Sequence, residues 1–476
     1  MRFWYAIGAG ALLSVGCSRS IDLSNKHCPC VAGYVCDPVT NLCVAEGDSG
    51  LTDIKTNESD ADAPDLNVPI QLALGRTHTC ATMEDGQVFC WGSAIYGQLG
   101  YGRGNPPPIG GNIYDIGDNE PANAGGPVSL GGNAIQVAAG WHHNCALLDD
   151  NTVRCWGIGS LGRLGYGFPT DDIGDDEVPS DVGTVALGNT ALEVAAGGSH
   201  SCALLNNNGK VRCWGSAALG QLGYGDTNAI GDSPGEFPSS TGPVVFDPPF
   251  SQMKEVKTGG AHSCARAANG TVWCWGAGAS GQLGHGNTNN IGDNDSTSVI
   301  DAVPVGDTVI QLALGGDHTC AILSGGAIRC WGRNDYGQLG YRDTENRGDS
   351  ETPSGTVDIG GQATQITAGL SHTCALLEGG DVRCWGKGSG GRLGYGDSNN
   401  IGDNEHPSAV SPVSLGGSAV FIAAGEEHTC AILNDGLIRC WGTGTDGRLG
   451  YGNTKDIGDN EKPSSIDAID IRLPHD

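Results

Sequence analysis

The sequence predicts an all-β fold, a seven-bladed β-propeller preceded by a small disulfide-rich segment. Three observations carry that expectation. Eighty glycines without a collagen-like triplet mean that tight turns recur along the chain. A Trp-Gly pair returns at Trp91, Trp156, Trp214, Trp275, Trp331, Trp385 and Trp441, at intervals of 54 to 65 residues. Each copy holds short alternating apolar stretches around a glycine turn, the pattern of a β-hairpin. Units of that size with a few short strands cannot cover their own apolar faces. They must stack, and a closed ring leaves no sheet edge exposed.

Residues 1–16, with Arg2 followed by an apolar run from Phe3 to Val15, read as a signal peptide. The stretch Leu13-Ser14-Val15-Gly16-Cys17 resembles a bacterial lipoprotein cleavage box, with Ser14 standing where that box usually has leucine. The expectation is a chain lipid-anchored through Cys17 at the outer membrane or cell surface of a bacterial envelope, with plain secretion as the alternative. No later run reaches the ~20 apolar residues of a membrane span, so the membrane tie is that anchor alone.

Residues 17–44 hold Cys28, Cys30, Cys36 and Cys43. So short a stretch cannot build a core, and two disulfides of open connectivity are expected, with a zinc site as the alternative. Residues 45–66 are polar, acidic and aperiodic, a flexible linker. Residues 67–476 carry the seven repeats. The first copy lacks the Val-x-Leu segment that precedes later ones, as in Pro127-Val128-Ser129-Leu130, and Ile466 to Leu473 is left over at the end. That surplus strand is expected to complete the first blade and fasten the ring.

Charge excludes a class of partners. With 54 acidic and 25 basic side chains the formal charge is −29, which repels nucleic-acid phosphates and anionic headgroups. Nineteen cysteines less Cys17 leave an even number, as full pairing in an oxidising compartment requires.

Within each copy Gly-x-x-His-[Ser/Thr/Asn]-Cys-Ala is followed by a hairpin, Cys-Trp-Gly and Gly-[Gln/Arg]-Leu-Gly-[Tyr/His]. This phrase resembles the repeat of the regulator of chromosome condensation family from about Val68 to Leu473, and the resemblance implies a seven-bladed propeller. That family includes nucleotide-exchange factors for a small GTPase, a plant ultraviolet-B receptor and a secreted bacterial inhibitor of β-lactamases, so it does not imply one function. The chain departs from it by placing cysteine after His-[Ser/Thr/Asn] and before Trp-Gly in every copy. The resulting pairs are Cys80-Cys90, Cys145-Cys155, Cys202-Cys213, Cys264-Cys274, Cys320-Cys330, Cys374-Cys384 and Cys430-Cys440. An even separation across a short hairpin sets both side chains on one face, within disulfide reach.

Repetition also sorts the chemically capable residues. Seven histidines, from His78 to His428, share one repeat position, too widely spread round a ring to hold one metal ion; a hydrogen-bonding framework is expected. The seven tryptophans are read as blade packing. An acidic phrase, Ile-Gly-Asp-[Asn/Asp]-Glu, recurs with Asp118, Asp175, Asp403 and Asp459 as its first carboxylates, a possible calcium loop or a set of Asp/Asn turns. No nucleophile elbow, phosphate loop or His-Glu-x-x-His occurs, and no enzymatic activity is expected.

What varies is the four residues between Trp-Gly and Gly-[Gln/Arg]-Leu-Gly, which stacking should bring to one rim. Tyr96, Arg333 and Tyr336 are the expected anchors for a protein partner. The insertion Arg103 to Tyr114, with Pro106, Pro107 and Pro108, and the stretch Glu236 to Phe250 are expected to project as wedges. The resulting functional expectation is a monomeric extracytoplasmic binding scaffold without a cofactor, calcium apart. A guanine-nucleotide exchange factor, implied by the family, and a structural envelope protein are the alternatives.

Overall fold

The computed structural model describes residues 67–102, 115–167, 171–246, 252–294 and 302–472, with the backbone of two short strands before them. Those strands, Tyr34–Cys36 and Cys43–Ala45, pair antiparallel with Cys36 opposite Cys43. Cys17, Cys28 and Cys30 lie outside the described residues. Contacts divide the chain into residues 1–65 and 66–476.

The larger unit is seven three-stranded antiparallel sheets. The inner strands are Pro69–Leu74, Ala134–Ala139, Ala191–Ala196, Met253–Thr258, Val309–Leu314, Ala363–Ala368 and Ala419–Ala424. Each touches the next, and the seventh touches the first, which closes the ring. Every middle strand begins at the repeat histidine and every outer strand ends at Trp-Gly. A fourth, short extended segment then bonds the outer strand through one residue, as Val128 N–H does to the Val88 carbonyl at 2.7 Å.

This fourth segment corrects the expected ring closure. The C-terminal segment bonds its own blade, Ile469 exchanging hydrogen bonds with Ile438 at 2.8 and 2.9 Å, while the first blade takes its fourth segment from Val128. Every blade is therefore built from contiguous sequence. The stretch from Glu236 is likewise not a wedge in its described part: Val244 bonds Val211, and Val244 and Phe246 are buried.

Each cysteine pair sits in register, as Cys80 opposite Cys90, with all seven disulfides formed and Cα atoms 4.0 to 4.1 Å apart. The third pair, eleven apart, is accommodated in the turn, since Cys202 still faces Cys213. Outward of the pair, the outer-strand cysteine turns its N–H and carbonyl away from the middle strand. The tyrosine of Gly-[Gln/Arg]-Leu-Gly-Tyr satisfies both, Tyr101 accepting from Cys90 N–H and donating to its carbonyl at 3.1 Å.

The blades are joined by side chains that the repeat supplies seven times. Each histidine Nε2 lies 2.9 Å from the residue after the next blade's histidine: His78 on Asn144, His143 on Ser201, His200 on Ser263, His262 on Thr319, His318 on Thr373, His372 on Thr429 and His428 on Thr79. The last of these crosses the closure. Each hydroxyl donates in turn to the carbonyl of a Gly-[Gln/Arg]-Leu-Gly loop, as Ser263 to Gln221 at 2.9 Å, so it can only accept from the imidazole. Nε2 therefore carries the proton and Nδ1 is bare. In five blades the same loop carbonyl accepts the indole N–H of the next blade, Trp275 reaching Gln221 at 3.0 Å.

A second set of bridges lies along the axis. Inner-strand Gln71, Gln136, Glu193, Glu255, Gln311 and Gln365 accept from the backbone N–H of Val137, Val194, Val256, Leu312, Ile366 and Ile422 in the following blade. At the closing junction this position is Phe421, whose side chain has no acceptor to offer.

Candidate functional site

Because each blade is an antiparallel meander, the turn before its histidine and the loop after its Trp-Gly emerge on one face. Backbone bonds tie them together, as Ser93 N–H to the Thr77 carbonyl and Arg333 N–H to Asp317. At the centre the residue two before each histidine forms a circle: Arg76, Trp141, Gly198, Gly260, Gly316, Leu370 and Glu426. Its N–H donates to the neighbouring blade at 3.0 to 3.3 Å all the way round. This circle surrounds a mouth of about 160 Å³ above the axial channel. Three consecutive glycines leave one arc bare, and Arg76, ion-paired to Glu426 at 3.1 Å, stands with Trp141 on the other.

The variable loops stand outside this circle in two conformations, chosen by the Gln or Arg that follows. In the glutamine loops the carboxamide accepts the N–H of the fourth loop residue: Tyr96, Leu219, Ser280 and Tyr336, at 2.8 to 2.9 Å. In the arginine loops the guanidinium donates instead to the carbonyl of the third, Ser160, Ser389 and Thr445, at 2.8 to 2.9 Å. The two bonds engage opposite ends of the same peptide, which is therefore flipped between the classes. Flipping drives the fourth residue into the left-handed region, with φ of 63° at Leu161, 68° at Gly390 and 60° at Asp446. The alternation of Gln and Arg was visible in the sequence; its consequence for the rim was not.

A family profile for the RCC1-like domain matches residues 134–474, and profiles for the single repeat match residues 85–147 and 70–98. The chain belongs to the RCC1-like family. It is similar to the ultraviolet-B receptor UVR8 of Arabidopsis thaliana, 34% identical over 63% of this chain and 62% of the receptor. It is similar also to the E3 ubiquitin-protein ligase HERC2 of Mus musculus, 30% identical over 70% of this chain but only 6% of the ligase. Its RCC1-like ring shares its fold with solved structures. Human WBSCR16 superposes with a TM-score of 0.62 at 22% identity, covering 79% of this chain and 94% of that one. Yeast Prp20p in complex with Kap60 gives 0.61 at 21% identity, covering 88% and 90%.

The RCC1-like framework divides the expected anchors. Tyr96 belongs to the first blade, where its ring meets His142 edge-on at 5.3 Å. Arg333 and Tyr336 share the fifth-blade loop, on another part of the circle. There Arg333 is held by Asp335 at 2.6 Å and Asp317 at 3.5 Å, and Lys387 Nζ lies 4.9 Å from the centre of the Tyr336 ring. Pro106, Pro107 and Pro108 lie outside the described residues. Sequence reading missed Trp141 and its neighbour His142, both half-buried beside the mouth; the signal for Trp141 is that it replaces the glycine found there in three other blades. Burial and the charges of Arg76 and Arg163 lower the His142 pKa to about 4 and keep it neutral.

The acidic phrases join blades at the outer edge of this face. A side chain on Gly97 would collide with Asp175 N and the Gly174 backbone at 2.5 and 2.6 Å, and Gly447 stands likewise against Gly117 and Asp118. The glutamate of the phrase folds back, Glu120 accepting from Gly117 N–H and Glu461 from Gly458 N–H at 3.2 Å. Asp118, Asp403 and Asp459 each bury one carboxylate oxygen that accepts no hydrogen bond. Among the described residues, three carboxylates converge within 4.8 Å only at Asp175, Asp176 and Glu177.

Proposed function

We propose that this RCC1-like chain is an extracytoplasmic scaffold that binds a protein partner through the loops on the face of the axial mouth. The observation that supports this most directly is the contrast between frame and loop. Seven blades repeat the same histidine bridges, disulfides and buried tryptophans, while the loops they present on one face differ in conformation, charge and apolarity. Yeast Prp20p, of the same fold, is described with its binding to Gsp1p and histones, which lends protein binding some support by analogy. Seven hairpin disulfides favour an oxidising compartment and, with the leader and Cys17, an anchored location in a bacterial envelope. Among the described residues no unrepeated acid, base and nucleophile are seen together on this face, and the reading is of a binding protein rather than an enzyme.

The test is a rim-wide variant in which the exposed residues of all seven loops become serine. Full-length protein and variant are immobilised, and proteins retained from a native envelope extract are compared by quantitative mass spectrometry. A partner lost from the variant is expected; an identical retained set overturns the reading.

A further inference from the structure

We propose that the apolar arc over the first three blades, formed by Ile95, Tyr96, Trp141, Leu161 and Leu219, docks a polypeptide partner that presents a large apolar side chain beside a lysine or arginine. The proposal deepens the binding reading above and rests on it.

A repeat protein carries its own control, because any residue the fold requires must recur in each blade. Leu161 fails that test twice. Its two counterparts in the arginine loops are Gly390 and Asp446, residues that tolerate the left-handed region, whereas a leucine there is strained. It is also 47% exposed, so the strain is not repaid by burial. Ile95 is 69% exposed, and the third loop position is serine, alanine, aspartate or threonine in every other blade. Neither side chain stabilises the ring, and both stand on adjoining blades. Trp141 continues the patch inward, its ring 3.1 Å from where a Cβ on Gly198 would lie, so that the glycine gives the indole a flat seat. Leu219, 40% exposed, extends the patch to the third blade. Strain and apolar exposure meet at Leu161, and such a coincidence marks a surface that serves a contact.

Charge decides the partner. The acidic phrase that packs on the Tyr96 loop is the one in which Asp175, Asp176 and Glu177 crowd within 4.8 Å of one another. Burial, a side-chain hydrogen bond with Asp176 and the charges of both aspartates raise the Glu177 pKa to about 7. A cation on the partner relieves that repulsion, while its apolar neighbour covers the arc, the arrangement of an apolar core with a charged rim. A second copy of this chain, itself at −29, is the wrong occupant.

The probes are two labelled peptides with the same leucines and tryptophans, one with lysines and one with glutamates at the intervening positions, titrated by fluorescence anisotropy into the full chain. The lysine peptide is expected to bind at least about tenfold more tightly than the glutamate peptide. That binding is expected to fall about tenfold in Leu161→Gly and in Tyr96→Ser, to weaken in Glu177→Gln, and to persist in Glu378→Gln, the same substitution in a hairpin turn on the opposite face. The Leu161→Gly protein should melt no lower than the parent, because the substitution relieves strain and removes no packing. Absent or equal binding of the two peptides, indifference to Leu161→Gly, or a lower melting temperature in that variant each overturns the proposal. Loss of a captured partner in the rim-wide variant but not in Leu161→Gly would sink the arc and leave the wider binding reading standing.

Discussion

The repeat histidines show how a single buried side chain sets a property of the ring. Burial lowers the pKa of His78 and His318 to about 4 and of His200 and His262 to about 3, and holds His143, His372 and His428 well below their ordinary value. Below pH 6.5 the unfolded chain takes up protons on these residues that the folded chain refuses. Stability is therefore complete above that pH and falls as the pH drops toward 4, by about 1.4 kcal/mol per pH unit for each such histidine. Urea unfolding at a series of pH values should show this slope, and replacing His262 by asparagine should reduce it. A flat profile between pH 6.5 and 4.5 would mean that the imidazoles are not neutral in the ring.

At the same scale the Gln/Arg choice should be transferable. Arg163→Gln is expected to flip the Ser160–Leu161 peptide and return Leu161 to negative φ, visible in a crystal structure of the variant. Gln98→Arg should do the reverse to Tyr96 and destabilise by about 1–2 kcal/mol, the usual cost of a left-handed non-glycine residue. If both loops keep their parent conformations, the side chain follows the loop instead of setting it.

At the scale of the element, strand and hairpin could be read from the sequence because they are local. The alternation around a glycine turn, and the spacing that puts Cys80 opposite Cys90, depend only on residues within one hairpin. The acidic phrase was ambiguous because its role is between blades: Asp175 contacts Gly97, far away in sequence. Its folded-back glutamates make it a capped joint, so chelator and millimolar calcium are expected to leave the melting temperature unchanged. A rise with calcium would identify the unpaired oxygens of Asp118, Asp403 and Asp459 as ligands, since a ligand of the folded state alone stabilises it. The flipped loop peptide escaped sequence reading for a similar reason, since it is set by a side chain that also bonds the next blade, as Arg163 does at Gly198.

For the whole molecule the closure of the ring is decided by the joints. Because the C-terminal segment completes the seventh blade, truncation before Ile466 should fray that blade's outer edge and leave the ring closed. The loss includes the buried side chains of Ile469 and Ile471, each worth about 1.5–3 kcal/mol when fully buried. A lowered melting temperature with an unchanged hydrodynamic radius is expected; an expanded particle would show that the segment fastens the ring after all. By itself the sequence determined the number of blades, the strand content, the cysteine pairs and the framework role of histidine and tryptophan, because each is a local pattern copied seven times. Only the tertiary structure decided which strand completes which blade, which of the variable loops adjoin Trp141, and where Leu161 is strained, because those facts depend on pairings and inter-blade contacts that no single hairpin contains, such as Val128 with Val88, Trp141 with Gly198 and Arg163 with Gly198.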